Sequence, residues 1–177
     1  MELISTVLIC ATCSWVLNLA ISLYESASKT EKVEREEMDI IKILNLNHSE
    51  LIKCVDGMSG TEFESFLQRL LEKFGYRVYA TAKSGDYGAD LIVSKDGLRM
   101  VVQAKRYSKS VGIKAVQEAL GAVKHYSVSK ALVITNSRFT KQACNLAASN
   151  DVELWDRGDL FDFILLARKR TEEMSYS

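Results

Sequence analysis

The chain of 177 residues has only two histidines, His48 and His125, and four cysteines, Cys10, Cys13, Cys54 and Cys144. Histidine this scarce leaves no zinc pattern, and the cysteine spacing suggests no disulfide framework. Cys10-x-x-Cys13 lies in an apolar run with no strand before it, so helix packing is favoured over redox chemistry. The cysteine use fits a reducing compartment. Walker A, GxSxG and HExxH patterns are also absent, so ATPase, serine hydrolase and zinc protease readings have no support. Formal charge is missing too, with 23 Lys+Arg against 23 Asp+Glu. That balance hides an asymmetry. Before Met58 there are 5 basic and 9 acidic residues; from Met58 onward there are 18 and 14, a net +4. A mild excess of this kind is compatible with a polyanionic partner and is not diagnostic of one.

Apolar residues make up 47% of the chain, enough for a core, and the length allows one medium domain plus an appendage. Leu3 to Tyr24 carries no charge over 22 residues, about 33 Å as a helix, which reaches across a bilayer core. Several Ser, Thr and Asn residues dilute it. A membrane anchor over 1–24 is the favoured reading, ahead of a partner-binding helix. A signal peptide is disfavoured because Met1-Glu2 offers no basic leader. Lys29, Lys32 and Arg35 follow the run, and the positive-inside rule then places the remainder on the cytoplasmic face. Residues 25–57 read as a helical juxtamembrane linker. Within it Leu46 to Gly60 reads as a connection, with Asn45, Asn47 and Asp56-Gly57 as breakers. The main domain is expected over 58–170, with a tail at 171–177.

Ser59 to Phe74 is the clearest helix, with Phe63, Phe66, Leu67, Leu70, Leu71 and Phe74 on one stripe. Thr61 with Glu64 has the form of a capping box, and Gly75 stops the helix. Glu62 reads as a surface residue. A strand follows at Tyr76 to Ala82, then an exposed loop, Lys83 to Gly88, whose glycines permit close backbone approach to a ligand. Leu91-Ile92-Val93 and Met100-Val101-Val102 form two strands about a Lys95-Asp96-Gly97 turn. Val111 to Tyr126 is a helix with Ile113, Val116, Leu120 and Val123 inward, and Gly121 is placed to allow close packing on the sheet. Ala131 to Ile134 is a fully buried strand. A helix ending near Asn150, a strand at Val152 to Trp155 and a final helix over Asp159 to Arg170 complete the order. Helix, three strands, helix, strand, helix, strand, helix implies an α/β sandwich with a mixed sheet.

The hairpin brings chemistry together. It sets Asp90 at the start of one strand and Gln103 and Lys105 at the end of its antiparallel neighbour, so these ends are adjacent. Gln103 and Lys105 are two apart and point to one face. A carboxylate, an amide and a lysine suit cleavage of a phosphodiester. A hard divalent cation held by the acid lowers the pKa of a bound water and offsets phosphate charge. The lysine orients the hydroxide or stabilises the pentacoordinate state. A structural Asp90–Lys105 ion pair is the plainer alternative.

These residues resemble the PD-(D/E)xK nuclease signature, and within it the Mrr-like restriction endonuclease family. The resemblance runs from about Met58 to Leu166 and rests on four motifs in order: G-T-E-F-E, S-G-D-Y-G-A-D, V-Q-A-K and Q-E-A-L-G-A. Two positions depart from the broad superfamily. Ala89 stands where many members have proline, and Gln103 stands for an acid, as is common in the Mrr-like branch. The resemblance implies a restriction-endonuclease-like, three-layer α/β/α sandwich and a Mg²⁺-dependent endonuclease acting on DNA, with Mn²⁺ able to substitute. Asp90 and Gln103 would hold the metal, Lys105 would act on the hydroxide, and Glu64 would either supply extra metal-site charge or simply cap its helix. Gln117 is carried over as a supporting residue facing the site. The loop would lie beside the scissile phosphate, with Ser84, Gly85, Tyr87 and Gly88 toward nucleic acid. Asp86 is favoured as a partner of the loop's own backbone over a metal ligand, and Tyr87 packs either on DNA or on the sheet edge. Arg106, on the opposite face from Lys105, reads as a surface or phosphate-contacting residue. Cutting both strands would favour a homodimer. The alternatives are a catalytically silent nucleic-acid-binding module and a membrane-bound interaction protein.

Overall fold

The computed structural model describes residues 15, 17–28, 39–81 and 87–175. It divides into two compact units, Met1–Asp39 and Ile40–Ser177. In the first, residues 17–28 are helical, and Leu17, Leu19, Ile21, Leu23 and Tyr24 are exposed. Residues 3–14 of the expected anchor, including Cys10 and Cys13, lie outside the described residues, as do residues 29–38. Among the described residues no helix is long and apolar enough to cross a membrane. The structure therefore lends no support to the expected span.

The second unit starts with a helical stretch at 40–44. It continues as α1 (His48–Gly57), α2 (Gly60–Lys73), β1 (Arg77–Ala80), β2 (Leu91–Lys95), β3 (Leu98–Lys105), α3 (Ile113–His125), β4 (Lys130–Thr135), α4 (Lys141–Ala148), β5 (Val152–Trp155) and α5 (Arg157–Ser175). The five strands lie in chain order across one sheet. β1, β2 and β3 are antiparallel neighbours, and β3, β4 and β5 are parallel. The sheet is mixed, as expected. Its hairpin turn has Asp96 at φ 50° and Gly97 at φ 81°. Two successive positive φ values match the right-handed twist of the strands.

Side-chain alternation gives each face of the sheet its own core. Leu91, Val93, Met100, Val102 and Ala104 join Phe63, Phe66 and Leu70 of α2 and Leu160 and Ile164 of α5 on one face. Val101, Ala131 and Val133 join Ala115, Val116, Ala119 and Ala122 of α3 and Ala143 and Ala147 of α4 on the other. The helices thus form two layers around the sheet.

Three local expectations are corrected. Residues expected to form a connection instead contain α1. Asn47 is its N-cap: its side chain accepts from the Glu50 N–H at 3.0 Å, and its own N–H donates to Glu50 Oε2 at 3.2 Å. Asparagine serves a turn and a cap through the same side-chain acceptor, so it reads as a breaker where a helix begins. Ile40, Leu44, Leu51 and Val55 then bury against the α2 core. In α2 the capping box is Ser59 with Glu62, two residues earlier than Thr61 with Glu64. The Ser59 N–H, and then its hydroxyl, lower the Glu62 carboxyl below its ordinary pKa. In α3 the buried stripe is Ala115, Val116, Ala119 and Ala122, while Ile113 is exposed. A stripe this rich in alanine lets the helix backbone lie close to the sheet. Gly121 is exposed rather than packed on the sheet.

Candidate active site

The antiparallel register pairs Leu91 with Val102 and Ile92 with Val101, so Asp90 follows opposite Gln103. Asp90 is held from several sides. Its N–H donates to the Val102 carbonyl at 2.9 Å, and its carbonyl accepts from the Thr81 N–H at 3.0 Å. Its Oδ2 accepts from the Ala104 N–H at 2.7 Å and from Nε2 of Gln103. Gln103 is only 3% exposed, and a buried amide without partners is costly. Its bond to Asp90 thus holds both side chains in place. Lys105 lies two residues on, on the same face, and its Nζ is 2.9 Å from Glu118 Oε2 of α3.

Buried polar groups anchor the end of β3. Thr135, fully buried on β4, donates its hydroxyl to the Lys105 carbonyl at 2.6 Å and accepts from the Ser137 N–H at 3.1 Å. Asn136, also buried, accepts from the Tyr107 N–H at 2.8 Å and donates to Asp56 Oδ1 at 2.8 Å. Arg157 Nη2 reaches both Asp56 oxygens at 2.7 and 2.8 Å. Burial pushes the Asp56 carboxyl up. Hydrogen bonds from Arg157 and Asn136, with the charges of Arg157 and Arg106, outweigh that and leave its pKa below the ordinary value. The backbone from the Lys105 carbonyl to Tyr107 is therefore tied to Thr135 at the end of β4 and, through Asn136 and Asp56, to α1 and α5.

The sequence-derived residues distribute as follows. Asp90, Gln103 and Lys105 converge. Ser84, Gly85 and Asp86 lie outside the described residues. Tyr87 is exposed and stacks on His125 with ring centres 3.6 Å apart. Gly88 has φ +88°, and a Cβ there would overlap the Glu118 backbone. Glu64 is half-buried on α2, which packs on the Val102 and Ala104 face of β3; Gln103 and Lys105 take the alternate positions. Arg106 turns toward α1, with Nη1 3.3 Å from the Asp56 carbonyl. Gln117 is exposed, and the residue that meets Lys105 is its neighbour Glu118. Glu118, Thr135, Asn136, Asp56 and Arg157 were not among the expected site residues. Glu118 was within reach of helix phase: at 3.6 residues per turn it flanks the Ala115–Ala119–Ala122 stripe, whereas Gln117 falls on the far side. The others come together only in the fold.

The donor set fits a hard divalent cation. The Asp90 carboxylate and the Gln103 amide oxygen are both hard ligands, and few protein donors suffice for an ion that keeps several waters. Among the described residues no three His, Cys, Asp or Glu side chains gather into a metal-sized group. A site in which glutamine stands for the second acid has that character.

The type IV methyl-directed restriction enzyme EcoKMrr of Escherichia coli (strain K12) is 27% identical over 134 residues, covering 71% of this chain and 44% of that protein. The chain thus spans less than half the length of this relative. Of solved structures, the DNA modification-dependent restriction endonuclease AspBHI overlaps with 20% identity and a TM-score of 0.48, over 80% of this chain and 38% of that one. The MspJI restriction endonuclease in complex with a 27-mer oligonucleotide overlaps with 22% identity and a TM-score of 0.47, over 69% and 30%. The family model Mrr_cat, described as a restriction endonuclease, matches residues 55–164, which take in Asp90, Gln103, Lys105 and Glu118. With well over half its length matched, and with those residues assembled at one sheet end, the chain belongs to the Mrr-type restriction endonuclease family.

Proposed function

We propose that this protein is a divalent-metal-dependent DNA endonuclease that hydrolyses phosphodiester bonds. The observation that carries the reading is the convergence of Asp90, Gln103 and Lys105 on one side of the β2–β3 pair, within a family of restriction endonucleases. Asp90 and Gln103 are the residues that would hold Mg²⁺, or Mn²⁺ in its place. The chemistry such an ion supplies when bound is neutralisation of phosphate charge and a water of lowered pKa. Lys105 presents an ammonium toward the reacting phosphate and stabilises the charge that develops in the transition state. The hydrogen bond from Ala104 N–H keeps the Asp90 carboxylate aimed while this happens. DNA approaches over the loop that ends in Tyr87 and Gly88. A second copy of the chain would serve the second strand.

Residues 3–24 are proposed as a membrane tether with the nuclease on the cytoplasmic face. The support is the uncharged run followed by Lys29, Lys32 and Arg35. Fractionation of the full chain beside a chain lacking residues 1–39 tests this, and equal recovery of both in the soluble fraction would contradict it.

The nuclease reading is tested by incubating the full chain with plasmid DNA in Mg²⁺, Mn²⁺ or EDTA. Methylated and unmethylated plasmids are both used, because EcoKMrr is methyl-directed. Nicking or linearisation in either metal and none in EDTA is expected. Retained DNA binding with no cutting of any substrate would favour the silent binding module.

A further inference from the structure

We infer that Glu118 is a positioning residue that holds the Lys105 ammonium in its working place. The inference rests on the nuclease reading and adds a residue to it. A lysine ammonium sits on a flexible four-carbon stem and does not position itself. Here Nζ lies 2.9 Å from Glu118 Oε2, with the two side chains only 21% and 29% exposed. Glu118 has a second cation, Lys114, but that side chain is 87% exposed and its Nζ is 3.8 Å from Oε1. Solvent screens that contact more strongly, so Lys105 is the main partner.

The Glu118 backbone is itself in register with the rest of the site. Gly88 packs so closely against it that no side chain fits between, and Gly88 is two residues before Asp90. Ala115 and Ala119, on either side of Glu118 in α3, are buried on the sheet. One helix position is thus set against the Asp90 strand through its backbone and against Lys105 through its carboxylate. A carboxylate so near the scissile phosphate would oppose DNA binding if it served only as a surface charge. Its value lies in aiming Lys105, where a small misplacement costs rate rather than affinity.

The test is the full chain with Glu118→Gln, Glu118→Ala and Glu118→Asp, assayed for plasmid cleavage in Mn²⁺ or Mg²⁺, with thermal melting alongside. We expect kcat to fall about tenfold to a hundredfold in the Gln and Ala variants. KM for DNA stays the same or improves, and the melting temperature is unchanged. Glu118→Asp recovers part of the rate because it keeps the charge at a shorter reach. A wild-type chain that cuts, with Gln and Ala variants that cut as fast, would overturn this inference and leave the nuclease reading standing. Rate losses matched by equal losses in melting temperature would also overturn it, as a merely structural role. A wild-type chain that cuts nothing would overturn the nuclease reading and this inference with it.

Discussion

Gly88 shows what one residue does here. It takes φ +88°, and a Cβ would collide with the Glu118 backbone. Gly88→Ala therefore meets both an unfavourable dihedral, costing about 1–3 kcal/mol, and a clash that pushes α3 from the sheet. Thermal melting should fall by several degrees, and cleavage should fall further than stability alone explains, because Glu118 and Lys105 move with the helix. Asp56 gives a second prediction. Its folded pKa lies below the ordinary value because the Arg157 and Asn136 hydrogen bonds and nearby arginine charges outweigh burial. A depressed carboxylate contributes stability that is present above the ordinary aspartate range, about pH 4, and lost as pH falls through the folded value. Asp56→Asn should thus lower stability at neutral pH and flatten its fall in acid, read by melting between pH 7 and pH 3. At this scale Asp90, Gln103 and Lys105 were legible in the sequence because strand alternation and one turn bring them together locally. Asp56, Asn136 and Arg157 were not, since 80 and 101 residues separate Asp56 from its partners and no local pattern spans that distance.

Among the elements, the hairpin was read correctly because turn chemistry and two apolar runs agree, and β4 because it is buried on both faces. α1 was missed for the opposite reason. Its ten residues carry only two fully buried positions, Leu51 and Val55, and polar residues flank it. What makes it a helix is the Asn47–Glu50 box and the apolar wall it meets. That wall is substantial. Leu51 is 1% exposed within the α2 core, so Leu51→Ala should cost about 2–5 kcal/mol, measured by denaturant unfolding. A cost under about 0.5 kcal/mol would show that α1 is an appendage. In α3 the larger residues Ile113 and Leu120 suggested the wrong phase. Ala115, Ala119 and Ala122 with Val116 lie deepest against the sheet, while Leu120 and Val123 pack half-buried at the edge of that core. The same shift puts Glu118, not Gln117, over Lys105.

For the whole molecule, the compact unit begins near Ile40 rather than at Met58, and Ile40, Leu44, Leu51 and Val55 belong to its core. A chain lacking residues 1–39 should therefore melt as the full chain does. One lacking residues 1–57 should lose cooperative unfolding, because that core is left open. Equal melting of both truncations would contradict the assignment. The mixed sheet of parallel and antiparallel halves was legible from element order alone. The way its β3 end is tied to α1 and α5 was not. The central claim concerns that end of the sheet, and the most direct measurement is metal-dependent plasmid cleavage by the full chain beside Asp90→Ala and Lys105→Ala. Cleavage is predicted to fall about 10²–10³-fold or more in each variant, while DNA binding holds in both and melting temperature holds in Lys105→Ala; Asp90→Ala also melts lower, because the buried Gln103 amide loses its partner. Cleavage that persists in both variants at the wild-type rate would contradict it.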